Sequence, residues 1–231
     1  MNIYFLVEGK RTEKKIYPKW LSYLVPELKR VQWYHQVVDN NYCIFTGDGF
    51  PSLLDNHLRN SIEDVNVVNT FDYFVICLDS DDEEVEIRRQ RVIEFMREEH
   101  ITLNPNTKLV IIVQKKCFET WFLGNKKIFK KNPGSSYLKE CISFYNVKEN
   151  DPELMGKPRE FEQTTAIYHS IYLQELLAER NIQYSKKNPH EVGEEYFLKE
   201  LLKRSKQTNH IQSFNYFIEF CLKIQKEINT F

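Results

Sequence analysis

Phe74-Val75-Ile76-Cys77-Leu78-Asp79-Ser80-Asp81-Asp82 is an apolar run that ends in carboxylates. A continuous apolar run of this length reads as a strand buried on both faces, the kind found in parallel sheets. The acids behind it crowd the strand tip with negative charge, and crowded carboxylates call for a metal ion. A second run of the same kind, Ile3-Tyr4-Phe5-Leu6-Val7, leads straight into Glu8-Gly9-Lys10-Arg11-Thr12-Glu13. In a parallel α/β sheet the carboxyl ends of neighbouring strands open on one edge, where such folds place their ligand sites.

Outward from these two strands, residues 1 to about 113 alternate short apolar runs with amphipathic stretches, the pattern of a parallel sheet flanked by helices. Strands are expected at 2–7, 42–46, 72–78 and 108–113, and helices at 13–25, 51–64 and 82–99. Pro18 interrupts the first helix, which either kinks there or begins there. Beyond about 117 the stretches 118–130, 135–145, 164–180, 190–205 and 211–228 all read as helices. The expected fold class is α/β, a parallel sheet flanked by helices followed by a helical C-terminal region. The expected domains are 1–125 as core and 126–231 as helical region, the latter packing on or beside the former.

The 231 residues are long enough for a sizeable core, and their 42% hydrophobic and 28% charged content excludes general disorder. No apolar run is long enough to span a bilayer, so no membrane partner is expected. The start of the chain lacks a basic leader with a small-residue cleavage site, which makes the cytoplasm the default location. Cys43, Cys77, Cys117, Cys141 and Cys221 show no C-x-x-C spacing and read as buried free thiols. The six histidines are scattered, so any metal must rely on oxygen ligands. Charge is unevenly placed: residues 79 to 86 hold six acids and no base, whereas 115 to 131 hold six lysines against Glu119 alone. That polarity suits a bound anion bridged to the acids by cations.

Asp79 and Asp81, one residue apart just past a strand end, can turn towards a single point. This suits Mg²⁺, which takes one or two carboxylates with water and substrate phosphate. The competing explanation is helix capping, because Ser80 with Glu83 fits the capping box S-x-x-E and first-turn acids favour the helix dipole. Capping would account for Ser80, Asp82 and Glu83 but does not require Asp79. A calcium loop fails, since Glu84 stands where Gly is needed. Glu8-Gly9 puts a carboxylate beside a residue that permits close approach or a positive φ, with Lys10 and Arg11 near a helix N-terminus that favours anions. Taken singly, Glu8 also reads as a solvated loop residue.

Glu119, in Cys117-Phe118-Glu119-Thr120-Trp121, follows the fourth strand. Phe118, Trp121 and Phe122 beside it have the spacing of a helix face packed in a core. Thr46-Gly47-Asp48-Gly49 reads as a tight turn. In Tyr184-Ser185-Lys186-Lys187-Asn188-Pro189 either lysine could reach a scissile phosphate, or the loop is merely solvated. Lys126, Lys127, Lys130 and Lys131 carry the same two readings, solubility or phosphate contact.

Together these residues resemble the Toprim domain of topoisomerases, primases and a group of nucleases, which is marked by a glutamate after the first strand and a D-x-D after a later one. Glu8 takes the first role, and Asp79 with Asp81 the second. Glu8 to Glu13 resembles the E-G-x-x-T-E opening of RloB-like proteins, and Cys117 to Trp121 resembles their C-F-E-x-W segment. Such proteins are similar to the OLD-family nucleases and the AriB effectors of bacterial anti-phage systems, which work with an ABC-type ATPase. The resemblance covers about residues 3 to 125 and the lysine loop. Lys116 departs from it, standing where relatives tend to have proline.

The resemblance implies a Mg²⁺- or Mn²⁺-dependent endonuclease acting on DNA or RNA, tRNA included, as the toxic arm of phage defence. Glu8, Asp79, Asp81 and Asp82 would be metal ligands. Glu8, Asp79, Asp81, Glu119 and Lys186 would be catalytic, with Glu8 a ligand or the general base and Asp82 or Glu119 completing the site. Lys10, Arg11, Lys126, Lys127, Lys130 and Lys187 would contact nucleic acid. No P-loop motif G-x-x-x-x-G-K-[ST] is present, so an ATPase would have to be a partner chain, and a homodimer is left open. Two alternatives compete: a Toprim-like module that binds nucleic acid without cutting, and a small-molecule phosphatase or phosphotransferase.

Overall fold

A computed structural model describes residues 1–230. The chain forms a five-stranded sheet in the order β2-β3-β1-β4-β5, parallel throughout. The strands are β1 (Asn2–Val7), β2 (Lys29–Arg30), β3 (Asn41–Thr46), β4 (Tyr73–Asp79) and β5 (Lys108–Gln114). β1 is central, pairing along its length with β3 on one side and β4 on the other. Every residue of β1, and Tyr73 through Leu78 of β4, is buried. The uninterrupted apolar runs thus do what their composition dictates, filling strands covered on both faces.

Two compact units divide the chain: Met1–Leu78 with Glu84–Val113 and the described residues from Phe217 onward, and Asp79–Glu83 with Gln114–Tyr216. The expected domains 1–125 and 126–231 follow chain order, whereas compactness interleaves it.

In the first unit, pleat alternation sends Tyr4 and Leu6 of β1 to one face, joined by Phe74, Ile76 and Leu78 of β4. There they meet Leu58, Ile62 and Val65 around α2 (Arg59–Val68) and Val92 and Met96 of α3 (Val85–Glu98). Phe5 turns the other way, onto Tyr17 of α1 (Glu13–Leu24) and Phe220. Phe217 adds edge contacts to Tyr17, and the Tyr73 hydroxyl donates to Glu227 at 3.0 Å. The chain leaves β1 for β2, on the β3 side, and leaves β4 for β5, in the opposite direction. The topological switch point therefore lies at the carboxyl ends of β1 and β4.

The α1 helix begins at Glu13 and continues through Pro18, so the proline neither starts nor ends it. A six-residue π-helical segment, Leu53–Leu58, precedes α2. β2 was not legible because it is two exposed basic residues with no periodicity. The Thr46–Gly49 turn is present, with Asp48 and Gly49 at positive φ. A Cβ on Gly47 would lie 2.5 Å from Leu53 Cβ, so the turn can close only with glycine there.

The second unit is helical: α4 (Phe118–Phe122), α5 (Ser136–Phe144), α6 (Thr165–Ala178), α7 (Glu195–Gln207) and the start of α8 (Gln212–Ile228). The helix expected over 118–130 stops at Phe122. Gly124 follows, and Asn125 then caps a separate 3-10 turn by accepting the Lys127 amide. Phe118, Trp121 and Phe122 are fully buried, as their spacing implied, with Trp121 edge-on to Phe214 and Phe122 edge-on to Phe197. Buried Arg204 on α7 donates to the carbonyls of Gly124, Val147 and Asn150, tying three loops to one helix. Burial pulls its guanidinium down to about 10. All five cysteines are buried and free. Among the described residues, no helix is long and apolar enough to cross a membrane.

Candidate acidic site in the helical unit

Within the second unit, Asp79–Glu83 is clasped to the segment that follows β5. Ser80 N–H donates to the Gln114 carbonyl, Asp81 N–H to the Lys116 carbonyl, and Lys116 N–H to Ser80 Oγ, all at 2.9 Å. Ser80 is fully buried in this role and is not a helix cap. Helix α3 begins at Val85 with Glu84 at its N-cap position, so the capping explanation for Ser80, Asp82 and Glu83 fails. The clasp is strained on both sides: Asp81 has φ +52 and Lys116 φ +68. Left-handed non-glycine residues cost roughly 1–2 kcal/mol each and collect where a site over-determines the backbone. Proline, with φ locked near about −65°, cannot adopt the Lys116 conformation.

The charges around this clasp come in pairs. Lys116 Nζ lies 3.6 Å from Asp82 Oδ1. Glu119, in the first turn of α4, is only 1% exposed; its Oε1 accepts the Tyr184 hydroxyl at 3.0 Å and faces Lys186 Nζ at 3.6 Å. Lys186 is held there by a tight turn in which Asn188 N–H returns to the Ser185 carbonyl. Of the two loop lysines, Lys186 is the one whose Nζ faces Glu119; both are exposed. Asp79 belongs to the same cluster electrostatically. The buried Cys117 thiol is pushed well up, first by burial and then by Glu119 and Asp79, while Lys186 opposes them.

Behind the cluster lies a buried polar layer that sequence reasoning missed. Met155 carbonyl can only accept, so His169 Nε2 carries the proton at 3.1 Å and Nδ1 accepts the Thr120 hydroxyl at 2.8 Å. Burial is the largest of the forces that bring this imidazole down to about 4; Lys116 lowers it further and Asp82 opposes. Ser213 Oγ accepts from Trp121 Nε1 and from the Lys115 amide, and donates to buried Glu153 at 2.5 Å. Burial raises the Glu153 carboxyl. These pairs fix α4 and the Lys115–Cys117 turn from underneath.

Of the other expected residues, Glu8, Lys10 and Arg11 belong to the first unit and Lys126, Lys127 and Lys130 to the second. In the first unit, Glu8 directly follows β1, its N–H donating to the Cys77 carbonyl at 2.8 Å and its carbonyl accepting from Gly49. Gly9 does not have positive φ. It allows a close approach instead, since a Cβ there would lie 2.1 Å from the Glu13 carboxylate. Lys10, with exposed Arg11 just before α1, pairs with Asp48 at 3.2 Å. In the second unit, Lys127 pairs with Glu200 at 2.7 Å and Lys130 with Glu179 at 3.1 Å, while Lys126 is half-buried. The basic segment is thus neutralised in part by glutamates of α7 and of the turn after α6.

Among the described residues, no group of three or more His, Cys, Asp or Glu is disposed to hold a metal ion. Mg²⁺ asks for less, one or two carboxylates completed by water and phosphate oxygens. Asp79 and Asp81 are hard oxygen donors of the type such an ion takes. No family model, curated protein or solved structure matches the chain.

Proposed function

We propose that this chain is a divalent-metal-dependent nuclease of Toprim type, hydrolysing phosphodiester bonds in nucleic acid. The observation that carries the reading is the strained clasp, in which Asp81 and Lys116 are both left-handed beside Asp79, Glu119 and Lys186. Capping does not account for these acids. Asp79 and Asp81 would hold Mg²⁺ or Mn²⁺, and Asp82 or Glu119 would complete the site. The ion, when bound, would polarise the phosphate and lower the pKa of an attacking water. Glu8 is assigned to the same chemistry from its place after β1, at the switch point, as ligand or general base. Lys186 would neutralise charge developing on the phosphate, held ready by its pairing with Glu119. By resemblance, the setting is cytoplasmic phage defence with an ABC-type ATPase partner.

The test is incubation with Mg²⁺ or Mn²⁺ and plasmid, single-stranded DNA and tRNA, beside a chelator control. Cleavage is expected to fall by at least about 100-fold in Asp79→Ala and Glu8→Gln, and Lys186→Ala should lose more than Lys187→Ala. Cutting retained in Asp79→Ala would end the proposal. One feature favours a second reading, a binding module that does not cut: Asp82 and Glu119 already face lysines. That reading requires nucleic-acid binding unchanged by chelator, with no cleavage.

A further inference from the structure

The first unit contains a feature that the acidic site does not use. β2 ends at Arg30, whose register partner is Tyr42, but β3 runs on to Thr46. Past Tyr42, among the described residues, no strand of the sheet continues on that side of β3. The result is a bay of about 760 Å³ between the open edge of β3, the chain leaving β2, α1 and α2. Its size falls in the range of small-molecule sites.

The chemistry of the lining is specific. Trp33 is 47% exposed at the bay, an unusual place for an indole. Phe45, stacked on Tyr4 with centroids 5.0 Å apart, adds a second aromatic surface. Lys14 and Arg30 supply cationic donors, with the His57 imidazole beside them, against one carboxylate, Asp64. That carboxylate is 3.5 Å from the buried Tyr4 hydroxyl, and burial raises its pKa. An aromatic plate, a cationic set and a carboxylate acceptor match, in turn, the π-face, the phosphate and the N–H donors of one ligand class.

We propose that this bay is a nucleotide-binding site: Trp33 stacks the base, Arg30 and Lys14 take the phosphate, and Asp64 accepts from base N–H groups. A strand-shaped peptide along β3 would leave the cationic set unexplained, whereas a nucleotide uses all three. The proposal stands whether or not the acidic site cuts, because binding here needs no metal.

Trp33 also provides the readout. Trp20 and Trp121 are fully buried, so quenching by an added ligand reports on Trp33. The full chain, in chelator, is titrated with the monophosphates of guanosine, adenosine, cytidine and uridine, with guanosine itself and with inorganic phosphate. Quenching by at least one monophosphate, with a dissociation constant below about 1 mM, is expected. The nucleoside and phosphate alone should bind at least about tenfold more weakly. Arg30→Gln and Lys14→Gln should each weaken binding about tenfold, with unchanged circular dichroism, while Asp79→Ala should bind as wild type. Absence of quenching by all four nucleotides would overturn the proposal. So would undiminished affinity in both charge variants, or loss of binding in Asp79→Ala.

Discussion

His169 is an apolar-environment histidine whose neutral form is selected by two neutral partners, the Thr120 hydroxyl and the Met155 carbonyl. Its folded value of about 4 lies below the ordinary 6.5, so the unfolded chain takes the proton first as pH falls. Stability from this residue is therefore complete above 6.5 and is lost progressively down to about 4. At pH 5 the loss is on the order of 2 kcal/mol. His169→Gln, which cannot titrate, is expected to remove that loss, so urea unfolding of wild type and variant at pH 7 and pH 5 should diverge by this amount. Parallel pH profiles would show that His169 titrates alike in the folded and unfolded chain, as a solvated imidazole does. Burial shifts Glu153 in the opposite sense, stabilising the fold as pH falls, but equally in both proteins. None of this was legible in the chain, because Thr120 and His169 are 49 residues apart and Glu119 and Tyr184 are 65 apart. What the sequence does show of Asp79, Asp81 and Glu119 is local: each stands at the end of an apolar run or among apolar neighbours, where a charge needs a reason.

Among the elements, the long buried strands were the easiest to read: β1, β3, β4 and β5 lie within a residue of where their apolar runs place them. Burial on both faces is written in local composition. The Lys115–Cys117 turn was not, because nothing local demands a left-handed lysine. Its conformation serves two distant bonds, to Ser80 and to Asp81. Lys116→Pro is therefore a sharp probe. It would lock φ near about −65° where +68 is required and delete the amide that donates to Ser80 Oγ, costing about 3 kcal/mol or more. Lys116→Gly, by contrast, keeps the amide and relieves the left-handed strain of about 1–2 kcal/mol, less about 0.5–1 kcal/mol of backbone entropy. Chemical denaturation should rank glycine near or above wild type and proline far below. Equal stabilities would mean that the turn adopts another conformation.

At the scale of the molecule, chain order and compactness disagree, and the consequence can be measured. Residues 1–125 were expected to form the core, yet the first unit also contains the chain from Phe217 onward. Phe217 and Phe220 cover Tyr17, Trp20, Phe5 and Tyr73, and Glu227 accepts the Tyr73 hydroxyl. A sequence pattern could identify α8 as an apolar helix but could not say which sheet face it covers, because that face is more than 130 residues away in the chain. Burying one large side chain contributes about 1.5–3 kcal/mol, so exposing this aromatic face forfeits a large share of the roughly 5–15 kcal/mol that holds a domain folded. A fragment ending at residue 125 is expected to lack cooperative unfolding, bind hydrophobic dye and aggregate. The same fragment with residues 212–230 attached through a flexible linker should regain a cooperative transition. If the short fragment alone unfolds cooperatively with native-like stability, the C-terminal half of α8 is dispensable to the sheet.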